Sequence, residues 1–232
     1  MIQNSDTSTA IPVVAVAPTS LKTYRYIRKP GPEETFSDEY LNQVLSTNPD
    51  LQQIFLVGCS NISSLSLAEL AKRDMHVIDL SGCNQFSTDS EKFVDFLRGI
   101  SSSIRNLYLR RCDFLTNRMV EVLLQNSYTI QTLDISFCTN VDFAMFLEFL
   151  VEHCSSTRKD SQNALTIMFL LKEDYEENSV LVEPLPDILS KLKFLKEKKI
   201  IVVMNHFVET TSASDATGAG AGCAQYIESS AF

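Results

Sequence analysis

Aliphatic residues recur through the middle of the chain in a fixed pattern anchored on cysteine. Cys59, Cys83, Cys112 and Cys138 follow one another at spacings of 24, 29 and 26 residues. Eight positions before each stand Leu51, Met75, Ile104 and Ile130; five before, Ile54, Ile78, Leu107 and Leu133; three before, Leu56, Leu80, Leu109 and Ile135. All twelve positions are aliphatic in a chain that is 44% hydrophobic, so the pattern is an internal repeat rather than a coincidence of composition. A polar residue soon after each cysteine (Asn61, Asn84, Asp113, Asn140) and an apolar one beyond it (Ile62, Phe86, Leu115, Val141) extend the match. The alternation just before each cysteine predicts a short strand that turns at the thiol.

Between the strands the period lengthens to that of a helix. Helices are expected over residues 37–46, 65–72, 89–98, 117–125, 142–153 and 185–198. Phe93, Phe96 and Leu97, and likewise Val120, Leu123 and Leu124, each line one apolar stripe, and Thr88 and Thr116 are the expected N-caps. Two outer units are in phase but degenerate. Upstream, Leu21, Tyr24 and Tyr26 take the three apolar positions with Lys29 at the cysteine site; downstream, Leu165, Met168 and Leu170 do so with Glu173 there. Ile200 to Met204 reads as a last strand.

The segments LQQIFLVGCSNIS, MHVIDLSGCNQFS, IRNLYLRRCDFLT and IQTLDISFCTNV resemble the leucine-rich repeat, in its cysteine-containing subtype found in F-box and related eukaryotic proteins. The resemblance implies an α/β fold: a curved solenoid with a parallel sheet on the concave side and helices on the convex side. About six units would span residues 21–207, flanked by a mobile N-terminal segment (1–20) and a mobile C-terminal tail (208–232), both assigned on composition. It also implies kinship with substrate receptors of ubiquitin ligases, although residues 1–35 hold no recognisable F-box and IPVVAVAP, with two prolines, makes a poor helix.

Charge narrows the range of partners. With 29 acidic against 20 basic residues the chain carries a formal charge of −9, which disfavours nucleic acid and anionic membrane surfaces. No apolar stretch approaches the roughly 18 residues of a membrane-spanning helix, and no basic n-region precedes the apolar run Ile11 to Ala17. Six dispersed cysteines without a CxxC pair read as buried thiols of a reducing compartment, giving a cytoplasmic or nuclear expectation.

Catalytic motifs do not emerge. HExxH, GxSxG and a Gly-rich phosphate loop are all missing from the sequence, so neither an enzyme nor a cofactor or metal site is expected. His153 beside Cys154 is the nearest approach to a reactive pair, but adjacent helical side chains diverge. The periodic cysteines would stack in a column at the strand spacing, which cannot surround one ion, and their thiols suit capping a backbone carbonyl at each turn. Lys191, Lys193, Lys196, Lys198 and Lys199 form a basic helix face that reads first as solvated surface.

The open face of the sheet then carries the functional expectation. Residues six, four and two before each cysteine point away from the core. They include Phe55 and Val57, Tyr108 and Arg110, and Phe169 and Leu171, with Arg111 and Phe137 beside the turns. These eight are the expected partner-binding residues, since aromatic and Arg side chains anchor protein interfaces. The expected function is non-enzymatic protein–protein interaction through the concave sheet. The alternatives are a substrate-receptor-like component of a ubiquitin ligase, or a subunit or assembly factor of a large complex.

Overall fold

A computed structural model describes residues 21–27, 36–156, 164–170 and 185–204. The expected mobile segments 1–20 and 208–232 lie outside these. Strand and helix alternate along the described chain: β1 (Thr23–Ile27), α1 (Asp38–Thr47), β2 (Gln53–Val57), α2 (Ser64–Ala71), β3 (Val77–Asp79), α3 (Ser90–Ile100), β4 (Asn106–Tyr108), α4 (Asn117–Asn126), β5 (Thr132–Asp134), α5 (Phe143–Ser156), β6 (Leu165–Met168), α6 (Leu185–Glu197) and β7 (Ile200–Val203). The strands form one α/β sheet in which every pairing is parallel and spatial order equals chain order, β1 through β7. Each helix packs against the next, so the helical layer follows the same succession. No described helix is long and apolar enough to cross a membrane.

Register follows the apolar alternation. Tyr24, Ile54, Ile78, Leu107, Leu133, Ile167 and Val202 align across the sheet. The side chains of Ile54, Ile78, Leu107, Leu133 and Ile167 are fully buried, as are Leu56, Leu80, Leu109 and Ile135 two residues on. Helices add the opposite wall through Leu67 and Leu70, Phe93 and Leu97, Leu123 and Leu124, and Phe146 and Leu147. A single unit has too little apolar surface to close a core, and the continuous cluster exists because neighbours stack.

Three local expectations are corrected. In β6 and just beyond it the core residues are Leu165, Ile167 and Phe169, not Met168 and Leu170, because strict alternation seats Phe169 against the rings of Phe143 and Phe146 at 5.1 and 6.1 Å. Leu21 is 47% exposed, and the end of the core near β1 is closed instead by Phe36, whose ring lies 4.5 Å from Tyr26 and 6.0 Å from Tyr24. Before α3 the chain winds a 3-10 turn, Asn84–Asp89, that brings Phe86 under Phe93 and Phe114, so the N-cap is Asp89 rather than Thr88. Thr116 does cap α4 in position, without a side-chain hydrogen bond.

Polar ladders lock successive units together. The Cys83 thiol donates to the Leu56 carbonyl at 3.0 Å, Cys112 to Leu80 at 3.3 Å and Cys138 to Leu109 at 3.0 Å, so each thiol ties its turn to the preceding strand. Burial raises all three thiol pKa values, Cys138 to about 12. Just beyond the cysteines, Asn84 Nδ2 donates to the Arg111 carbonyl, the Asp113 N–H donates to Asn84 Oδ1, and Asn140 Nδ2 donates to the Asp113 carbonyl. Among the helices, Gly99 lets α3 approach α2 closely: a Cβ there would stand 2.7 Å from Ala71 Cβ.

Candidate functional site: the open face of the sheet

On the side of the strands opposite the core, neighbouring residues form columns fixed by the parallel register. One column runs Arg25, Phe55, Asp79, Tyr108, Asp134, Met168 and Val203. Two residues on, Ser81, Arg110 and Ser136 stand in the next row, joined by the backbone ladder Gly82 N–H to Arg110 carbonyl (2.7 Å) and Arg111 N–H to Ser136 carbonyl (2.9 Å).

The triplets Asp79-Leu80-Ser81 and Asp134-Ile135-Ser136 make the same local structure in two units. Asp79 Oδ1 accepts from the Ser81 N–H at 2.9 Å and Asp134 Oδ1 from the Ser136 N–H at 3.0 Å, closing a side-chain turn at the end of each strand. Tyr108 stands between them. Burial first, then the neighbouring carboxylates of Asp79 and Asp134, raise the pKa of its phenol, so the ring keeps its proton and can donate. Asp134 is spoken for: its side chain is only 5% exposed, and Oδ2 lies 3.5 Å from Arg110 Nε. Ser136 is buried as well, its Oγ accepting from the Leu170 N–H at 3.2 Å.

Above this row the backbone takes a left-handed conformation at the residue before each repeat cysteine: Gly58 (φ 73°), Gly82 (φ 73°), Arg111 (φ 56°) and Phe137 (φ 63°). Two units use glycine, which enters that region without steric penalty; the next two force a side chain into it. Those side chains meet. The Arg110 and Arg111 guanidinium carbons lie 5.7 and 5.5 Å from the Phe137 ring centroid, within cation–π range.

The structure therefore brings Tyr108, Arg110, Arg111 and Phe137 into one patch at the C-terminal ends of β4 and β5. Phe55 and Val57 are half-buried on the same face but belong to a second patch, where the Arg25 guanidinium covers the Phe55 ring at 4.4 Å. Asp79 separates the two patches. Phe169, expected on this face, is 2% exposed and faces the core for the packing reason given above. Leu171 lies outside the described residues. Sequence reasoning missed Arg25, which occupies the same column position as Phe55 one unit earlier. It also missed the left-handed pair, for which glycine before Cys59 and Cys83 was the available signal.

Other described chemistry-bearing residues make local packing and ion-pair contacts. The buried His153 ring stacks on Phe149 at 5.4 Å, whereas the Cys154 side chain and His206 lie outside the described residues. His76 Nε2 lies 3.6 Å from Asp74 Oδ2. On the basic helix, Lys191 pairs with Asp187 at 3.1 Å and Glu148 at 3.8 Å, joining α6 to α5. Among the described residues no group of His, Cys, Asp or Glu could hold a metal ion. Compared with known proteins, the chain matches no protein-family model and no curated protein.

Proposed function

We propose that this chain is a non-enzymatic leucine-rich-repeat solenoid that holds another protein on the open, concave face of its sheet. The observation that carries the reading is the contrast between the two sides of the strands. One side is aliphatic and sealed by helices; the other presents Tyr108, Arg110, Arg111 and Phe137 together. A face serving only to be wetted has no use for two aromatics and two arginines gathered into one patch at a cost in backbone strain, whereas Tyr and Arg are the side chains that anchor interfaces. In-order parallel strands joined by helices, with a thiol at each of three successive turns capping the strand before it, support the leucine-rich-repeat reading.

The test is site-specific photo-crosslinking. A photoreactive residue in place of Tyr108 should capture a discrete partner from native extract, while the same residue in place of Leu189, which is 52% exposed on α6, should not. Crosslinks from position 189 with none from 108 would overturn the assignment and move binding to the basic helix.

A further inference from the structure

We infer that the Arg110–Phe137–Arg111 cluster is a carboxylate-binding site that takes an acidic peptide segment of a partner protein. The inference rests on the reading of the sheet face as a binding surface and assigns that surface a ligand chemistry.

Three observations converge. First, the two guanidiniums are directed rather than loosely solvated. Both lie against the one Phe137 ring, at 5.7 and 5.5 Å, which restrains two otherwise flexible side chains. Second, their donors are incompletely used. Arg110 is 49% exposed and engages Asp134 through Nε at 3.5 Å, which leaves its terminal nitrogens available. The exposed Arg111 has no carboxylate partner among the described residues. Third, the placement carries a backbone cost. Arg111 and Phe137 adopt φ values of 56° and 63° where the two preceding units place glycine. Strain retained beside unspent hydrogen-bond donors marks a position held for recognition rather than for folding.

The competing chemistry is a cationic partner drawn to Asp79, Tyr108 and Asp134. Burial decides against it. Asp134 is 5% exposed and paired with Arg110, and half-buried Asp79 already accepts from the Ser81 N–H through Oδ1, so neither carboxylate is freely presented to a cation. A carboxylate, by contrast, finds two guanidiniums held against one ring, each a planar fork donor suited to bidentate pairing. Because the whole chain carries −9, an acidic segment would have to reach these two arginines specifically.

The probe is a short fluorescein-labelled, glutamate-rich peptide with blocked ends, titrated by anisotropy against the full chain, beside its lysine and glutamine counterparts. The glutamate peptide should bind, the others should not, and binding should weaken as salt rises. Changing Arg110 and Arg111 together to Ala should weaken it about tenfold or more. Arg111→Gly alone should also weaken binding while melting no lower than wild type, an outcome that a purely structural arginine would not give. Lys193→Ala with Lys196→Ala should change nothing. Equal binding of the lysine peptide, no binding of the glutamate peptide, or loss only in the lysine variants would overturn the proposal. Binding only after Glu173, Asp174, Glu176 and Glu177 are made neutral amides would overturn it in favour of an occupant within the chain. If the peptide fails while position 108 still crosslinks a protein, the ligand chemistry is wrong and the binding face stands.

Discussion

Thiol reactivity reads out the repeat turns directly. Alkylation proceeds through the thiolate, so its rate scales with the ionised fraction and with access. An ordinary thiol with pKa 9.0 is about one-tenth ionised at pH 8, and at the value of about 12 that burial gives Cys138 the fraction falls about a thousandfold. Cys83 and Cys112 are pushed further in the same direction, and both are fully buried. Iodoacetamide at pH 8, quenched over time and read by mass spectrometry of tryptic peptides, should leave all three unmodified on the timescale that saturates a control peptide. Denaturant should make them react at the control rate. Labelling of Cys83 or Cys112 within tenfold of the control rate, in protein with an unchanged circular dichroism spectrum, would refute both the burial and the thiol-to-carbonyl ladder.

The same thiols set an alkaline limit. Their folded pKa values are raised above 9.0, so the native state holds protons that the unfolded chain releases; stability is complete below pH 9 and falls above it. With three thiols the slope approaches about 4 kcal/mol per pH unit, so the melting temperature should drop steeply between pH 9 and about pH 11. A flat profile would contradict it. Phe169→Ala should cost about 3–5 kcal/mol in urea unfolding, because it empties the space between Phe143 and Phe146; a surface-like change under 0.5 kcal/mol would return Phe169 to the open face. Gly99→Ala should destabilise by about 1–2 kcal/mol despite its gain in helix propensity, since its Cβ meets Ala71 Cβ at 2.7 Å; a stabilised variant would mean that α2 and α3 separate easily. Arg111→Gly should raise stability by up to about 1 kcal/mol, as relief of the left-handed strain outweighs the added freedom of the unfolded chain.

The helices and strands were legible because each rests on a period visible in one unit and repeated in the next. The predicted helix 117–125 and the observed Asn117–Asn126 illustrate this. The β6 phase was not legible, because LTIMFLL is apolar at both alternations and only the rings of Phe143 and Phe146, more than twenty residues earlier, select Phe169 for the core. Leu21 misled for the converse reason: its position fits the repeat, but it is 47% exposed, and Phe36 packs on Tyr24 and Tyr26 to close the core near β1. Within the candidate patch, Tyr108 and Arg110 follow from alternation alone. That Phe137 gathers both arginines depends on the left-handed turn, a conformation that glycine signals in two units and nothing in the local sequence signals in the other two.

The most direct test of the central claim is quantitative partner capture with wild type and the Tyr108→Ala, Arg110→Ala double variant, compared at a temperature where both are fully folded, since Arg110→Ala leaves the buried Asp134 carboxylate without its cation. Both side chains leave the sheet on its open side, so the account predicts that the fold survives while recovery of the bound protein falls about thirtyfold, the loss expected for removal of about 2 kcal/mol at an interface anchor. The same protein recovered at the same level by the double variant would contradict it.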